Sequence, residues 1–547
     1  MGDISPKKSN TYNQPLVYLV GAGPGDPGLI TAAGAEILAR AAVVIYDALA
    51  NPLLLDLCPS DTKKIFAGKS ADHHTLSQDQ INQLLVNEAR HLATNEKLRG
   101  RVVVRLKGGD PYVFGRGAEE ALELFRAGIN FQVIPGITAG IAGPCYAGIP
   151  VTHRDLASTV TFITGHQQDA SDDSTAGQTI NYAALARLGG TLVFYMGVKS
   201  LPDITAKLVA AGMDPNTPAA VVRMATHQEQ KTIRSTLQDI AQTALNADIK
   251  PPAITIVGNV ISMNNELNWF EKRPLFGKTI LVTRTRHQAS KLSSQFTSLG
   301  AGVIEAPTIE LAPAADTHSI DRVLIKLKNY HCVVFTSANG VEAAWERMRK
   351  LNLDARAFPN RVAAVGEATA EALGCIGIAP DIVPEEFISE NLAADLIQRL
   401  GDSGSKKLDG IKFALLRADI ARPNLLQALL NAGAQVDDVP IYSNVLPKVL
   451  ATEALEALKS GRVDWVTFTS GSTAKNLHAL LPENLREVVK KSRRLSIGPI
   501  TTQALVELGW PPTIQAGKHD ISGMVDALLK YEHAVQGKDD ANGGPDG

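Results

Sequence analysis

The residues best suited to chemistry sit directly behind short apolar runs. "YLVGAGPGDPG" places Gly21, Gly23 and Gly25 after one such run, "RLKGGDPYVFGRG" places Gly108-Gly109-Asp110 after another, and "PGITAGIAGP" follows a third. Glycine lets the main chain turn tightly and approach the polar edge of a ligand. A dinucleotide fingerprint is the first chemistry to test, and it fails. Gly21 and Gly23 fit, but the third position falls on Asp26, which would repel a pyrophosphate. Pro24 has no N–H to offer one, so the pattern argues against NAD. Either a different ligand is cradled or these are plain turns.

Asp47 ends the run "AVVIYD", where active-site residues of open α/β sheets collect. From residue type alone Asp47 could equally cap a helix, and Lys69 could be a solvated surface lysine. In the second half, Thr336-Ser337 and Thr469-Ser470 close two "FTS" strings, and Thr369 and Thr501 follow glycine in "VGEAT" and "IGPIT". Serine and threonine cap helix starts, and the free N–H groups there attract carboxylates. Four such starts in one cleft would suit a flexible poly-acid better than a metal or a nucleotide. Ordinary capping is the alternative.

These residues need a scaffold of alternating strands and helices. "PLVYLVGAG" reads as a buried strand, "GLITAAGAEILARA" as the helix behind it, and "AVVIYD" and "RVVVRLKGGD" as further strands. That alternation predicts an α/β protein with a mostly parallel sheet. The main boundary is expected in "ELNWFEKRPLFG", with a domain at 15–265, a linker at 266–276 and a second domain at 277–533. Residues 1–14 and 534–547 read as polar tails, the latter as disordered. The second domain repeats: "GKTILVTR" at 277 matches "GIKFALLR" at 410, an offset of 410 − 277 = 133. The same offset joins the two "FTS" strings at 335 and 468. Two copies of one α/β unit are expected to form two lobes facing a cleft.

The bulk numbers exclude several classes. Net charge is −2 and aromatics are 5%, which speaks against a nucleic-acid partner. No apolar stretch spans a bilayer and no signal peptide is visible, so a cytoplasmic protein is expected. Cys58, Cys145, Cys332 and Cys375 form no C-x-x-C pair and have no histidines at zinc spacing. They read as buried free thiols, and no metal is expected.

Taken in order, "VGAGPGDPGLIT", "YDALA", Gly68-Lys69, "RLKGGDPYVFGRGAEE", "VIPGITA", "AGIPVTHR", "TGH" and "FYMG" resemble the uroporphyrinogen-III C-methyltransferases, members of the tetrapyrrole methylase family. The resemblance covers about residues 15–265. It implies two α/β lobes with S-adenosylmethionine between them, in a homodimer. It further implies cofactor contacts from Pro24, Gly108, Gly109, Asp110, Val113, Thr138, Ala139, Met196 and Ala225. The family's proton acceptor matches Asp47, its proposed donor Lys69 and its substrate-binding arginine Arg116. No G-x-G-x-x-A/G unit precedes the first strand, so the expected product is precorrin-2, from two methylations, and not sirohaem.

"LVTRTRHQASKL", "FTSANGVEA", "AVGEATAEAL", "VPIYSNV", "FTSGSTAKNL" and "IGPITTQAL" resemble uroporphyrinogen-III synthase over about residues 277–530. That family's fold implies one lobe from 277–313 with 445–533 and another from 314–444. Its reaction closes hydroxymethylbilane to uroporphyrinogen III with loss of water, without metal, and a family tyrosine matches Tyr442. The two halves would then act in sequence. The competing readings are a methylase of a later precorrin, an RNA methylase, and a second half that only binds tetrapyrrole.

Overall fold

Among the described residues, apolar runs bounded by glycine turns become strands in four five-stranded sheets. The computed structural model describes residues 16–68, 76–165, 180–284, 286–314, 316–384, 389–401, 407–419 and 423–542. The chain divides into two compact units at Lys278/Thr279, with the short stretch Phe296–Gly302 counted with the first.

In the first unit, β1 (Val17–Gly21), β2 (Ala41–Tyr46), β3 (Lys63–Phe66), β4 (Val102–Lys107) and β5 (Phe131–Ile134) form a parallel sheet of order β3-β2-β4-β1-β5. Both faces are covered. Leu19, Ile45 and Val103 belong to one apolar cluster and Val20, Val44 and Leu106 to another. Burial on both faces explains the near-continuous apolar strand sequences. The helix Gln78–Thr94 packs on the first of these faces through Leu85 and Ala89 and starts with a full capping box, Ser77 with Gln80.

The second sheet of this unit departs from expectation. β6 (Val160–Thr164) pairs parallel with β7 (Thr191–Tyr195). β8 (Pro218–Arg223), β9 (Lys231–Thr236) and β10 (Ala253–Val257) then join antiparallel, in the order β6-β7-β10-β8-β9. The mostly parallel sheet read from strand–helix alternation is therefore wrong for this lobe. The seven-residue turn between β8 and β9 is too short for the crossover that a parallel pair needs. The segment 266–276 is not a loose linker either. Phe270 and Leu275 are buried, and the Phe270 ring lies tilted against Tyr146, with centroids 4.7 Å apart.

In the second unit, β11 (Thr279–Val282), β12 (Gly302–Glu305), β18 (Trp465–Phe468), β19 (Arg493–Ser496) and β20 (Ile514–Gln515) form one sheet, in the order β12-β11-β18-β19-β20. β13 (Glu310–Pro313), β14 (Cys332–Phe335), β15 (Val362–Ala364), β16 (Lys412–Ala418) and β17 (Gln435–Val445) form the other, ordered β13-β17-β16-β14-β15. The repeat is visible in the strand starts: 412 − 279 = 133 maps β11 on β16, and 465 − 332 = 133 maps β14 on β18. Equivalent strands hold equivalent places, β12-β11-β18-β19 against β17-β16-β14-β15. Each sheet combines the first strands of one copy with the later strands of the other, so a copy is not a lobe.

Two boundary expectations change. Residues 310–313, assigned by sequence to the outer lobe, pair antiparallel with β17 through Pro313–Tyr442 and Glu310–Val445, and so belong to the middle sheet. The stretch from 534 on, read as disordered, continues the helix Ile521–Asn542. That helix is anchored by buried Met524 and Leu528, so its later turns are extended from a nucleus already formed. The thiols are all free, but Cys145 and Cys375 are exposed, not buried as expected; Cys332 is buried and Cys58 half-buried.

Candidate functional site

Strand order brings the chemistry together in the first unit. The three glycine loops follow β1, β4 and β5, which are adjacent, and Asp47 follows β2, the next neighbour of β4. Parallel strands put all four loops at one edge, outside the strand carboxyl ends. The loops knot together through backbone bonds and one carboxylate. Gly23 and Gly109 exchange backbone hydrogen bonds of 3.2 and 2.7 Å. Asp110 accepts from Tyr112 N at 2.8 Å and from Gly136 N at 3.0 Å, tying the second loop to the third. A Cβ on Gly136 would overlap the Gly109 carbonyl oxygen and lie 2.7 Å from Gly21 Cα. Gly136→Ala should therefore separate these loops, at a cost of about 1–3 kcal/mol in stability. Calorimetry should show S-adenosylhomocysteine affinity falling at least about ten-fold, since one tenfold step corresponds to about 1.4 kcal/mol. Wild-type affinity would mean that the knot does not shape the ligand site.

The second lobe of this unit supplies the other wall. Tyr195 at the end of β7 is buried, and its hydroxyl lies 2.7 Å from Thr138 Oγ1 and accepts from Gly140 N at 2.8 Å. Burial raises the pKa of that hydroxyl, so it stays protonated. Met196 follows at φ 54° and is largely exposed. Ala225 is buried between Met224 and Thr226, at φ 48° and 69°. Thr226 Oγ1 accepts from Asp26 N at 2.9 Å, beside half-buried Pro24. Phe114 and Arg116 are also left-handed, at φ 52° and 57°. Side chains rarely adopt this conformation, and such strain gathers where a ligand is gripped.

His227 seals this corner. Its imidazole packs so closely on Gly25 that a Cβ there would overlap it. Burial holds the imidazole below its ordinary 6.5, against the opposing pull of Glu229 and Asp26. The unfolded chain therefore binds a proton near 6.5 that the folded chain refuses. The contribution of His227 to stability is present above 6.5 and is lost as pH falls through the lower folded value. Melting temperatures of the first unit should drop on acidification through this window, and His227→Gln should flatten that slope. An unchanged slope in the variant would remove His227 as its cause.

The candidate reactive groups are differently placed. Asp47 keeps a partly exposed carboxylate that accepts from Leu49 N at 3.1 Å and faces Arg105 Nη2 at 3.3 Å. Lys69 lies outside the described residues. Arg116 is exposed and held in a fork by Glu119, at 2.8 and 2.7 Å. Val113 and Ala139 pack against the second lobe's apolar cluster. Exposed Leu49, Tyr112, Phe114 and Met196 give the region an apolar surface. Sequence reading missed a buried charge cluster here. Arg105 Nε and Lys107 Nζ both reach Glu120 Oε1, at 3.1 and 2.9 Å, and all three side chains are at most 5% exposed. The available signal was two cations spaced i, i+2 within the otherwise apolar "VVVRLK".

In the second unit, Ser337 and Ser470 do cap helices, accepting from Gly340 N at 3.1 Å and Thr473 N at 3.3 Å. Thr336 and Thr469 sit beside them, half-buried. Thr369 and Thr501 are each 3% exposed, so they present no hydroxyl to a ligand; Gly366 and Gly498 are the caps of their helices. Tyr442 belongs to the apolar core of the middle lobe, with its hydroxyl 3.1 Å from Ser337 Oγ. Among the described residues no His, Cys, Asp and Glu group could hold a metal ion, and no helix is long and apolar enough to cross a membrane.

Comparison with known proteins agrees with this division. A family model described as tetrapyrrole (corrin/porphyrin) methylases matches residues 16–241, and one described as uroporphyrinogen-III synthase HemD matches residues 290–526. The porphyrin biosynthesis protein HemD of Ruminiclostridium josui is 35% identical over 517 residues, 94% of this chain and 98% of its own. A uroporphyrinogen-III C-methyltransferase of Bacillus subtilis is 39% identical over 80% of this chain and 91% of its own. A solved uroporphyrin-III C-methyl transferase from Thermus thermophilus, complexed with S-adenyl homocysteine, is 36% identical over 45% of this chain and 98% of its own, with a TM-score of 0.37. The chain thus belongs to the family of porphyrin biosynthesis proteins that join a tetrapyrrole methylase to a uroporphyrinogen-III synthase.

Proposed function

We propose that the second half closes hydroxymethylbilane to uroporphyrinogen III and that the first half methylates that product twice to precorrin-2, with S-adenosylmethionine as methyl donor. The observation that carries this is the meeting of three glycine loops with the Asp47 carboxylate at one sheet edge, in a chain that belongs to both families. The residues fit the donor. The Gly21–Gly109–Gly136 knot packs main chain on main chain so closely that a Cβ on Gly21 or Gly136 would overlap it, which leaves backbone groups to meet the donor, and Pro24, Gly108, Asp110, Val113, Thr138, Ala139, Met196 and Ala225 are assigned its remaining contacts. S-adenosylmethionine supplies an electrophilic methyl group.

The chain's own residues do the rest. As a ring carbon gains the methyl group, positive charge grows on the pyrrole nitrogen. Asp47 faces that N–H, stabilises the charge and takes the proton. Lys69 is assigned the donor role. The guanidinium of Arg116 binds a substrate carboxylate. The exposed side chains of Leu49, Tyr112, Phe114 and Met196 suit the apolar faces of the substrate's pyrrole rings. In the synthase half, the helix starts capped by Ser337 and Ser470, with Thr336 and Thr469, receive the substrate carboxylates. Tyr442 assists the leaving hydroxyl, and Ser337 orients it. The enzyme works in the cytoplasm as a homodimer through its methylase half, where Leu122 and Phe125 are exposed on one helix; light scattering tests the dimer.

The deciding experiment incubates the full chain with hydroxymethylbilane, with and without S-adenosylmethionine. Type-III uroporphyrinogen alone, gaining two methyl groups when the donor is added, is expected by isomer and mass analysis. Type-I product without methyl gain, even when uroporphyrinogen III is supplied, would overturn both assignments.

A further inference from the structure

β4 is buried along its whole length, yet it carries Arg105 and Lys107 on one face. Lys107 and Glu120 already form a complete pair at 2.9 Å. Arg105 adds a second buried cation to the same carboxylate, which the Lys107 pair does not require. What Arg105 adds is reach. Its Nε binds Glu120 inside the fold, its Nη1 binds the carbonyls of Leu106 at 3.0 Å and Ile45 at 3.4 Å, and its Nη2 meets Asp47 Oδ2 at 3.3 Å. One guanidinium therefore joins a fully buried carboxylate to a partly exposed one and clamps the end of β2 that carries it. With Leu49 N on the other oxygen, both oxygens of Asp47 are held.

We infer that Arg105 is a positioning residue for methyl transfer: it fixes the Asp47 carboxylate in its acceptor orientation and touches no substrate itself. This rests on the reading of Asp47 as the proton acceptor. Fixed geometry matters because small misplacements of a reacting group lower rates steeply.

The test is a double-mutant cycle in the full chain. Arg105→Met and Arg105→Lys are each made alone and together with Asp47→Asn, and methylation of uroporphyrinogen III is followed under single-turnover conditions. S-adenosylhomocysteine affinity by calorimetry reports folding of the methylase half. Arg105→Met should lower the methylation rate about thirty-fold in the wild-type background, with Arg105→Lys recovering part of the loss. Affinity should stay within about two-fold, since the interaction lost acts on the chemical step. In the Asp47→Asn background the same change should cost less than about two-fold, because the carboxylate it serves is gone. An equal loss in both backgrounds, or no loss in either, overturns the proposal. If Arg105→Met abolishes ligand binding, Arg105→Lys, which keeps a cation beside Glu120, carries the cycle by the same criterion. Asp47→Asn at the wild-type rate is a distinct outcome that brings down the Asp47 reading itself.

Discussion

Asp47→Asn is expected to slow methylation by about three orders of magnitude while the same protein still closes hydroxymethylbilane at the wild-type rate. The substitution is isosteric, so the bond from Leu49 N to Oδ1 can persist. On the proposed assignment, the charge that would balance a developing pyrrole cation is lost together with the proton acceptor. The new amide also turns an N–H toward Arg105 Nη2, where donor meets donor. None of these changes touches the glycine knot, so S-adenosylhomocysteine should bind as before. A fall of less than ten-fold would show that the pyrrole proton leaves by another route. Ring closure measured in the same sample is an internal control, because the synthase residues lie in the other compact unit.

The sequence was most legible where a single local rule governs. Each glycine loop follows an apolar run, and a strand that ends in glycines marks a place where backbone must come close. That β1, β4 and β5 are neighbours was implied only by the loops being alike. Arg105, Lys107 and Glu120 show the limit. The cations are two residues apart, but their partner lies on a helix in another layer, and no periodicity links them. The repeat shows a different limit. The offset of 133 is a property of the chain, whereas pairing of β11 with β18 and of β14 with β16 decides which copy supplies which sheet. Copies that exchange halves look the same in sequence as copies that do not. Thr369 and Thr501 were misread for a simpler reason: a glycine can hold the cap position, and the threonine three residues later then turns inward.

Glu120→Gln should be the most destabilising single change in the methylase half, at about 3–5 kcal/mol, the cost of removing one partner from a buried ion cluster. Glu120 is fully buried and receives both Arg105 and Lys107 on Oε1, while Oε2 has no hydrogen-bond partner among the described residues. Without its charge, two cations remain inside the fold against Asp47 alone. Lys107→Met should be far milder, because it leaves Arg105 and Glu120 as a neutral pair and removes an ammonium that burial already disfavours. Desolvation, followed by the neighbouring Arg105, holds Lys107 below its ordinary 10.5. Glu120→Gln withdraws the opposing pull of Glu120 and lowers that folded value further. The unfolded chain then binds more protons than the folded chain between the lowered value and 10.5, so stability rises with pH in that interval. The Glu120→Gln protein should therefore regain melting temperature as pH rises from the lowered Lys107 value toward 10.5, where the wild type gains less. The melting transition of the methylase half can be identified by its upward shift with S-adenosylhomocysteine. Equal destabilisation by Glu120→Gln and Lys107→Met, with no recovery at high pH, would mean that water reaches this cluster and that its charges are not confined. The wild-type cluster avoids the problem by its stoichiometry: two cations are matched by two carboxylates, of which only Asp47 meets solvent, and Asp47 is joined to the buried pair through Arg105.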